Sequence, residues 1–370
     1  MGIAGLAKLI HEQAPDAVSS VQLDDYRGRV VAMDVSVAIY QFHTAMPKIT
    51  NRHGQNISAL QGLFYRTMHL LENGIKPVFV FDGKPPELKE RVLAKRTTVS
   101  GAKRKAADPA VGEPPQWLPR RDFERLLGYL GVPYVQAPAE AEATCAALVK
   151  SGHAWCTATE DMDALPFGSS LLLRHLNSKN KDLEEISLPV VLQKLGLTQE
   201  QFVDLCILLG CDYCEKIRGL GPKKALPLLQ QHKRIEQVLH SACSAQKHPW
   251  PENWPLEETR RLFLHPEVAQ PSQVVLEWRE PDVEGLVQFL AHEKRMAETR
   301  VRRRLEKWQA ACLKSALPQS PGPVTKGSKK QQRMVEFFQV KKRARKIPKA
   351  RQEEDEDPGT ARNGSGDLRK

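Results

Sequence analysis

No run in this 370-residue chain approaches the roughly 20 apolar residues that a membrane-spanning helix needs, so no membrane partner is expected. The N-terminus, Met1-Gly2-Ile3-Ala4-Gly5-Leu6, lacks the charged segment and apolar core of a secretory signal. It also lacks the Ser or Thr of a myristoylation signal, Leu6 standing in that place. Loss of Met1 would leave Gly2 as a small N-terminal residue. The cysteines are seven, an odd number scattered through a long chain. They offer no disulfide framework and read as reduced thiols of a cytosolic or nuclear protein. Cys211-x-x-Cys214 has no second ligand pair at a zinc-ribbon spacing, so the pair reads as two ordinary thiols flanking Asp212. No internal repeat is visible.

Positive charge is abundant. The formal net charge is +11. Residues 319–370 hold 14 Lys and Arg against 7 Asp and Glu, a net of +7, which leaves +4 for the rest. The body carries many clustered acids, so its remaining surface must be basic, which suits a polyanionic partner.

Three short apolar runs each lead into acid. Val30-Val31-Ala32-Met33 ends on Asp34, Val78-Phe79-Val80-Phe81 on Asp82, and Ala154 to Ala158 leads through Thr159 to Glu160-Asp161-Met162-Asp163. Bounded runs rich in β-branched and aromatic residues read as buried strands. Strands are expected at 29–33, 77–82, 132–136, 154–159 and 170–175, with helices at 35–46, 58–74, 120–130 and 139–151. This alternation predicts an α/β fold with a mainly parallel central sheet flanked by helices. Residues 97–119, with Pro109, Pro114, Pro115 and Pro119, interrupt the pattern as an insertion. From 198 to 240 the chain reads as helical around a Gly219-Leu220-Gly221-Pro222 break. Residues 249–282 read as irregular, and 283–314 as one charged amphipathic helix. Beyond Pro318 the Pro/Gly/Ser/Lys-rich composition predicts a disordered tail.

In an open α/β sheet, ligands bind beyond the carboxyl ends of the strands. Carboxylates gathered there repel one another unless a cation sits among them, and hard divalent cations with oxygen ligands fit. Glu140 and Glu142 stand in the first turn of a helix opened by Pro138, and Asp212 follows the apolar run Leu205 to Leu209 and Gly210. Residues two apart do not share a helix face. One of the two glutamates is therefore expected to bind an ion directly and the other through water. Seven acids at element ends (Asp34, Asp82, Glu140, Glu142, Asp161, Asp163 and Asp212) suit two Mg²⁺ ions, which promote in-line phosphoryl displacement. After Asp82, Pro85-Pro86-Glu87 opens a helix on which Lys89 and Arg96, seven apart, share a face. They could stabilise charge on a bound phosphate.

Longer segments carry a family resemblance: Glu72-Asn73-Gly74-Ile75-Lys76-Pro77, Phe81-Asp82-Gly83-Lys84-Pro85-Pro86, Glu140-Ala141-Glu142-Ala143, Ala158-Thr159-Glu160-Asp161-Met162-Asp163, and Gln201-Phe202-Val203-Asp204-Leu205-Cys206-Ile207-Leu208-Leu209-Gly210. With Ile39-Tyr40-Gln41-Phe42 and the N-terminal ten residues, the chain resembles the flap endonuclease family of XPG-type structure-specific 5′ nucleases over nearly all of 1–340. The resemblance implies a PIN-like nuclease core and cleavage of 5′ flaps in DNA replication and base excision repair. It places the seven metal-site acids on those named above, with Mn²⁺ as a substitute for Mg²⁺. It puts the catalytic cations on Lys89 and Arg96, a glycine beside the active site on Gly2, and a base-stacking tyrosine on Tyr40. Gly219, Gly221, Lys223 and Lys224 look like its DNA-gripping helix–two-turn–helix, which the family supports with a bound K⁺. The family commonly has Ser where this chain has Lys216, whose ammonium is expected partly to take that ion's place. Gln331, Met334, Phe337 and Phe338 match the box that binds a sliding clamp of the PCNA-type trimer, and Lys341 to Arg351 forms a basic segment. A nuclear monomer acting on branched or flap DNA is expected, with nucleolus and mitochondrion as further locations.

On this reading, 1–96 is an N-terminal nuclease region and 97–121 a shortened helical cap. Residues 122–240 form an internal nuclease region with the helix–two-turn–helix at about 212–235, 241–318 the end of the core, and 319–370 the tail. The cap's prolines oppose a second long helix, the loop near 47–56 lacks an acidic stretch common in the family, and Cys211 stands where Ser or Thr is usual. Weaker selectivity for threaded 5′ flaps is expected. Two alternatives stay open: a sister 5′ exonuclease or junction-resolving nuclease, against which the clamp box argues, and a non-catalytic clamp- and DNA-binding adaptor, against which the complete acid set argues.

Overall fold

Short apolar runs bounded by turn residues become strands because each can bury both faces of its pleat between helices. The computed structural model describes residues 2–36, 38, 39, 42, 49–51, 54–99, 120–176, 182–217, 219–244 and 254–316, with the backbone alone at 93, 95–99, 241–244 and 314–316. Along the chain run α1 (Leu6–Gln13), β1 (Val18–Val21), β2 (Val30–Asp34), α2 (Ser58–Glu72), β3 (Lys76–Phe81), α3 (Glu87–Val99), α4 (Arg120–Tyr129), β4 (Tyr134–Gln136), α5 (Ala141–Lys150) and β5 (Cys156–Ala158). They are followed by β6 (Leu171–Arg174), β7 (Leu183–Ser187), α6 (Leu188–Leu195), α7 (Gln199–Leu209), α8 (Pro222–His232), α9 (Ile235–Ser244), α10 (Leu256–Leu264), α11 (Val283–Leu286) and α12 (Glu298–Ala316).

The strands form one sheet in the order β1-β7-β6-β5-β2-β3-β4. β4, β3, β2, β5 and β6 are parallel, while β7 and β1 add antiparallel at one edge. The chain moves outward from β2 through β3 to β4, then returns to lay β5 on the other side of β2. The strand order therefore reverses between β2 and β5, and the crevice at their carboxyl ends is where such folds bind ligands. One sheet face packs Val31, Met33, Phe79 and Phe81 against α2, α4 and the helices after residue 283. The other packs Ala32, Val78 and Val80 against α5. A third apolar cluster joins α1 to α6, α7, α8 and α10.

The expected parallel sheet is present, with differences. Val18-Ser19-Ser20-Val21 and Leu183-Glu184-Glu185-Ile186-Ser187 were not expected as strands, because their polar residues hide the alternation. Glu184 accepts from Arg174 at 2.8 Å and pairs with His11, and the Tyr26 hydroxyl donates to Glu185, so partners from elsewhere offset the charge. The single helix expected over 283–314 is broken. After α11 a wide π-turn segment runs over Val287–Glu293, and α12 begins only at Glu298. Arg295 lies between them at φ 60°, a left-handed conformation that no helix continues through. The stretch 249–282, expected to be irregular, contains α10, whose buried Leu256 and Phe263 lie on one side. Residues 35, 36, 38, 39 and 42 are helical, and the rest of the helix expected at 35–46 lies outside the described residues. So do residues 100–119 of the cap and the whole tail from 317 on, including the clamp box and basic segment.

Candidate active site

Each acid is delivered by the end of a packed element. Asp34 closes β2 and accepts from the Ser36 amide at 2.7 Å. Asp82 follows β3 and accepts at 2.7 Å from the amide of Ala141, the first residue of α5. The positive end of that helix thus faces a carboxylate. The β3 turn is tied down by Gly83, whose amide donates to the Ala139 carbonyl at 2.7 Å, while Lys84 donates to Pro138 at 3.1 Å. A Cβ on Gly83 would stand 2.2 Å from the Pro138 oxygen. Glycine alone permits this approach, and it sets the distance between Asp82 and Glu140. Reading the sequence missed this residue; a glycine directly after an acidic strand end was the available signal.

Glu140, Glu142 and Asp82 bring one carboxylate oxygen each to within 4.8 Å of one another. The two glutamates therefore converge although they stand only two apart in sequence. Glu140 is the residue before α5, with extended backbone at φ −73°, ψ 134°. The helix-face rule does not reach a residue outside the helix, and the extended turn swings Glu140 toward Glu142.

Asp161 and Asp163 follow β5 in a short turn. The Asp163 amide donates to Asp161 Oδ1 and the Asp161 amide to Thr159 Oγ1, each at 3.1 Å. Asp163 is buried, and its Oδ1 has no hydrogen-bond partner. Gly2 lies against this pair at φ 80°, where a Cβ would stand 2.0 Å from Asp161 Oδ1 and 2.6 Å from Asp163 Oδ1. Three residues on, a Cβ at Gly5 would meet Pro222 Cγ at 3.0 Å. Residues 2–5 thus run from the acids to the start of α8.

Lys89 is the cation of the cluster. Its Nζ donates to Glu140 Oε2 at 2.5 Å and stands 3.8 Å from Asp212 Oδ2. Burial alone would lower its pKa, but the charges of Glu140, Glu142 and Asp212 win and raise it. Arg96 lies on α3, and its side chain is outside the described part. Burial, then the charges of Asp34, Asp82, Asp161 and Glu140, hold Glu142 well above the usual carboxylate range. Burial with Asp161 and Asp212 does the same for Asp163. All seven acids therefore belong to one electrostatic cluster, answered by a single described lysine.

A divalent cation fits this donor set: hard carboxylate oxygens, mutual repulsion and an orphaned buried oxygen on Asp163. On α2 the Arg66 guanidinium lies 4.3 Å from the Phe42 ring centroid. Burial pulls its pKa down to about 9 against the charge of Glu160.

The break between α7 and α8 is built on glycines. Gly210 takes φ 85° and Gly219 φ 80°, and Gly221 caps α8 ahead of Pro222. Lys223 and Lys224 are exposed on the first turn of α8, and Lys216 is exposed in the loop before it. A helix start flanked by glycine and two lysines is suited to grip a phosphate. Tyr40 lies outside the described residues, as do Gln331, Met334, Phe337 and Phe338.

Comparison with known proteins gives an independent reading. The XPG N-terminal domain matches residues 1–103 and the XPG I-region residues 131–212. The protein named flap endonuclease 1 in Nematostella vectensis is 46% identical over 328 residues, covering 83% of this chain and 87% of that one. Its Homo sapiens namesake is 47% identical over 323 residues, covering 82% and 85%. The solved structure of flap endonuclease-1 from Methanococcus jannaschii matches at 29% identity and a TM-score of 0.65, over 80% of this chain and 97% of that one. The catalytic core of Rad2 in complex with DNA substrate matches at 24% identity and a TM-score of 0.68, over 83% and 100%. That last likeness concerns the fold.

Proposed function

From the premise that this chain belongs to the flap endonucleases of the XPG family, we propose that it is a Mg²⁺-dependent, structure-specific DNA hydrolase. It cuts 5′ flaps in replication and base excision repair, with 5′–3′ exonuclease action on the same site. The observation that carries this reading is the convergence of seven acids and Lys89 at the reversal point of the sheet.

Asp34, Asp82, Glu140, Glu142, Asp161, Asp163 and Asp212 would hold a pair of Mg²⁺ ions, most of them through water, with Mn²⁺ as a substitute. When bound, such a pair supplies Lewis-acid charge that activates water and stabilises the leaving oxygen of an in-line displacement. The chain's own residues do the rest. Lys89, held by Glu140 and Asp212, aims a charge-assisted donor at the oxygens of the scissile phosphate, and Arg96 adds a second from the same helix. Gly2, by lacking a side chain, leaves room for the phosphodiester beside Asp161 and Asp163. The start of α8, with Gly219, Gly221, Lys223 and Lys224, grips the duplex backbone away from the cut and fixes register without reading sequence. Tyr40 stacks on an unpaired base.

The same reading has the protein act as a monomer in the nucleus, tethered to a trimeric sliding clamp through Gln331, Met334, Phe337 and Phe338. At the double turn, the Lys216 ammonium partly replaces a bound K⁺. With its prolines, the 97–119 segment relaxes the demand that a free 5′ end be threaded. The test is a product map on a double-flap DNA with free and with blocked 5′ ends. Cleavage at the flap base supports the proposal, and near-equal cutting of the blocked flap supports the relaxed cap. Strong rejection of blocked ends removes the cap reading, and cutting only at four-way junctions removes the flap reading.

A further inference from the structure

The turn that delivers Asp212 also holds two sulfurs almost in bonding reach. Cys211 Sγ lies 3.5 Å from Cys214 Sγ, and both residues are buried. The Cys211 amide donates to the Cys214 carbonyl at 3.2 Å, which closes the turn. A disulfide has its sulfurs about 2.05 Å apart, so bonding asks for a contraction of about 1.5 Å. The surroundings cannot take this up passively. Gly210, just before, sits at φ 85° where a Cβ would be 2.7 Å from the Lys216 nitrogen. Tyr213, inside the turn, packs edge-on against Phe263 at 5.2 Å. The Trp254 indole donates to the Glu215 carbonyl at 3.0 Å, holding the far side. Of the two residues between the sulfurs, Asp212 is the more exposed, and it stands 3.8 Å from Lys89.

We propose that Cys211 and Cys214 form an oxidation site, a dithiol that a peroxide converts to an intramolecular disulfide, shifting Asp212 and weakening the cation site. The proposal rests on the metal-dependent reading given above. In the first step one sulfur attacks a peroxide oxygen; the O–O bond breaks, an S–OH bond forms, and water leaves with the thiol proton. In the second, the other sulfur displaces that hydroxyl, so the S–S bond forms, the S–O bond breaks and a second water leaves. Two thiols and one hydrogen peroxide give one disulfide and two waters, with two electrons passing from sulfur to peroxide. Burial makes the reaction slow and favours a small uncharged oxidant over exchange with a bulky disulfide. In a reducing compartment the dithiol is the resting state and the disulfide transient.

The experiment treats the full-length protein with hydrogen peroxide and reads three things: the mass of the peptide holding both cysteines, the Mg²⁺-induced rise in melting temperature, and flap cleavage. The expected result is loss of two hydrogens from that peptide, a smaller Mg²⁺-induced rise, and a loss of cleavage of about ten- to a hundredfold, the scale of a ~1 Å displacement in an active site. Dithiothreitol restores all three. Cys211→Ser, close in size, keeps the cleavage of the reduced protein and loses the peroxide response, and Cys214→Ser loses that response too. No 211–214 linkage at peroxide levels that oxidise the less buried Cys312 overturns the proposal, and so does a linkage that leaves the Mg²⁺-induced rise unchanged. Absence of cutting by the reduced protein would instead count against the nuclease reading, since the mass and melting readouts need no catalysis.

Discussion

Lys89 reaches from the first turn of α3 to donate to Glu140 across 2.5 Å, from a sequence distance of 51 residues. Removing one preorganised donor from an active site costs about 10²- to 10³-fold in turnover. Lys89→Met is therefore expected to lower single-turnover cleavage by about that factor while leaving affinity for branched DNA nearly unchanged. Without its ammonium the acids repel more strongly, so the Mg²⁺-induced rise in melting temperature should grow. Single-turnover kinetics, a binding titration and a melt check the three parts.

Gly2 is the narrowest steric point of the site. Gly2→Ala places a methyl where Asp161 and Asp163 oxygens stand 2.0 and 2.6 Å away, on a backbone at φ 80° that disfavours any side chain. The first residues must withdraw or the acids must part. Cleavage should fall at least about tenfold, since small displacements of reacting groups carry such penalties. Melting temperature should move little, because the strand ends are held by the sheet. Parallel assays of cleavage and thermal melting distinguish this from unfolding.

The acids also set a pH dependence. Glu142 and Asp163 are held well above the usual carboxylate range by burial and by neighbouring acids. The folded protein keeps protons there that the unfolded chain releases. The stability this provides is complete below the ordinary carboxylate pKa of about 4 and is lost as pH rises through the raised values. In EDTA, Asp163→Asn should melt above the wild type, with a gap that widens from pH 5 to pH 8. The Mg²⁺-induced rise in the wild type should likewise be larger at pH 8 and much smaller in the variant. Melts across pH with EDTA or Mg²⁺ decide it; a gap that narrows as pH rises would contradict the assignment.

Binding should depend steeply on salt, because phosphate contacts release counterions. Lys223→Ala and Lys224→Ala, on exposed positions of the first turn of α8, should each reduce the slope of log affinity against log salt by about 1. They should weaken binding evenly across DNA sequences. Fluorescence anisotropy between low and physiological ionic strength provides the slopes.

The parallel strands were legible because each is an apolar run that ends sharply, as Val78-Phe79-Val80-Phe81 does at Asp82. The edge strands β1 and β7 were hidden because their acids find partners on other elements: Arg174 on the adjoining strand and distant His11 for Glu184, and distant Tyr26 for Glu185. The acids of the site could be identified one at a time from their positions at element ends. Their spacing could not, since it depends on contacts such as Gly83 against Pro138 and Ala139. The Glu140–Glu142 pair shows the limit clearly. The helix rule was sound, but where α5 begins decided whether it applied, and the Ala141 amide bound to Asp82 fixes that start. Arg66 was invisible for a similar reason, since nothing local to its helix indicates that it lies over the Phe42 ring.

On the proposed function, these acids trap divalent cations against a DNA phosphodiester. Its most direct test is cleavage of a labelled 5′-flap substrate by the wild type and by Asp163→Ala over a range of Mg²⁺ concentrations. Mg²⁺-dependent cutting at the flap base is expected of the wild type, abolished by EDTA and nearly absent in the variant, which still binds the DNA. Tight binding of branched DNA by the wild type with no cutting at any divalent concentration would contradict it.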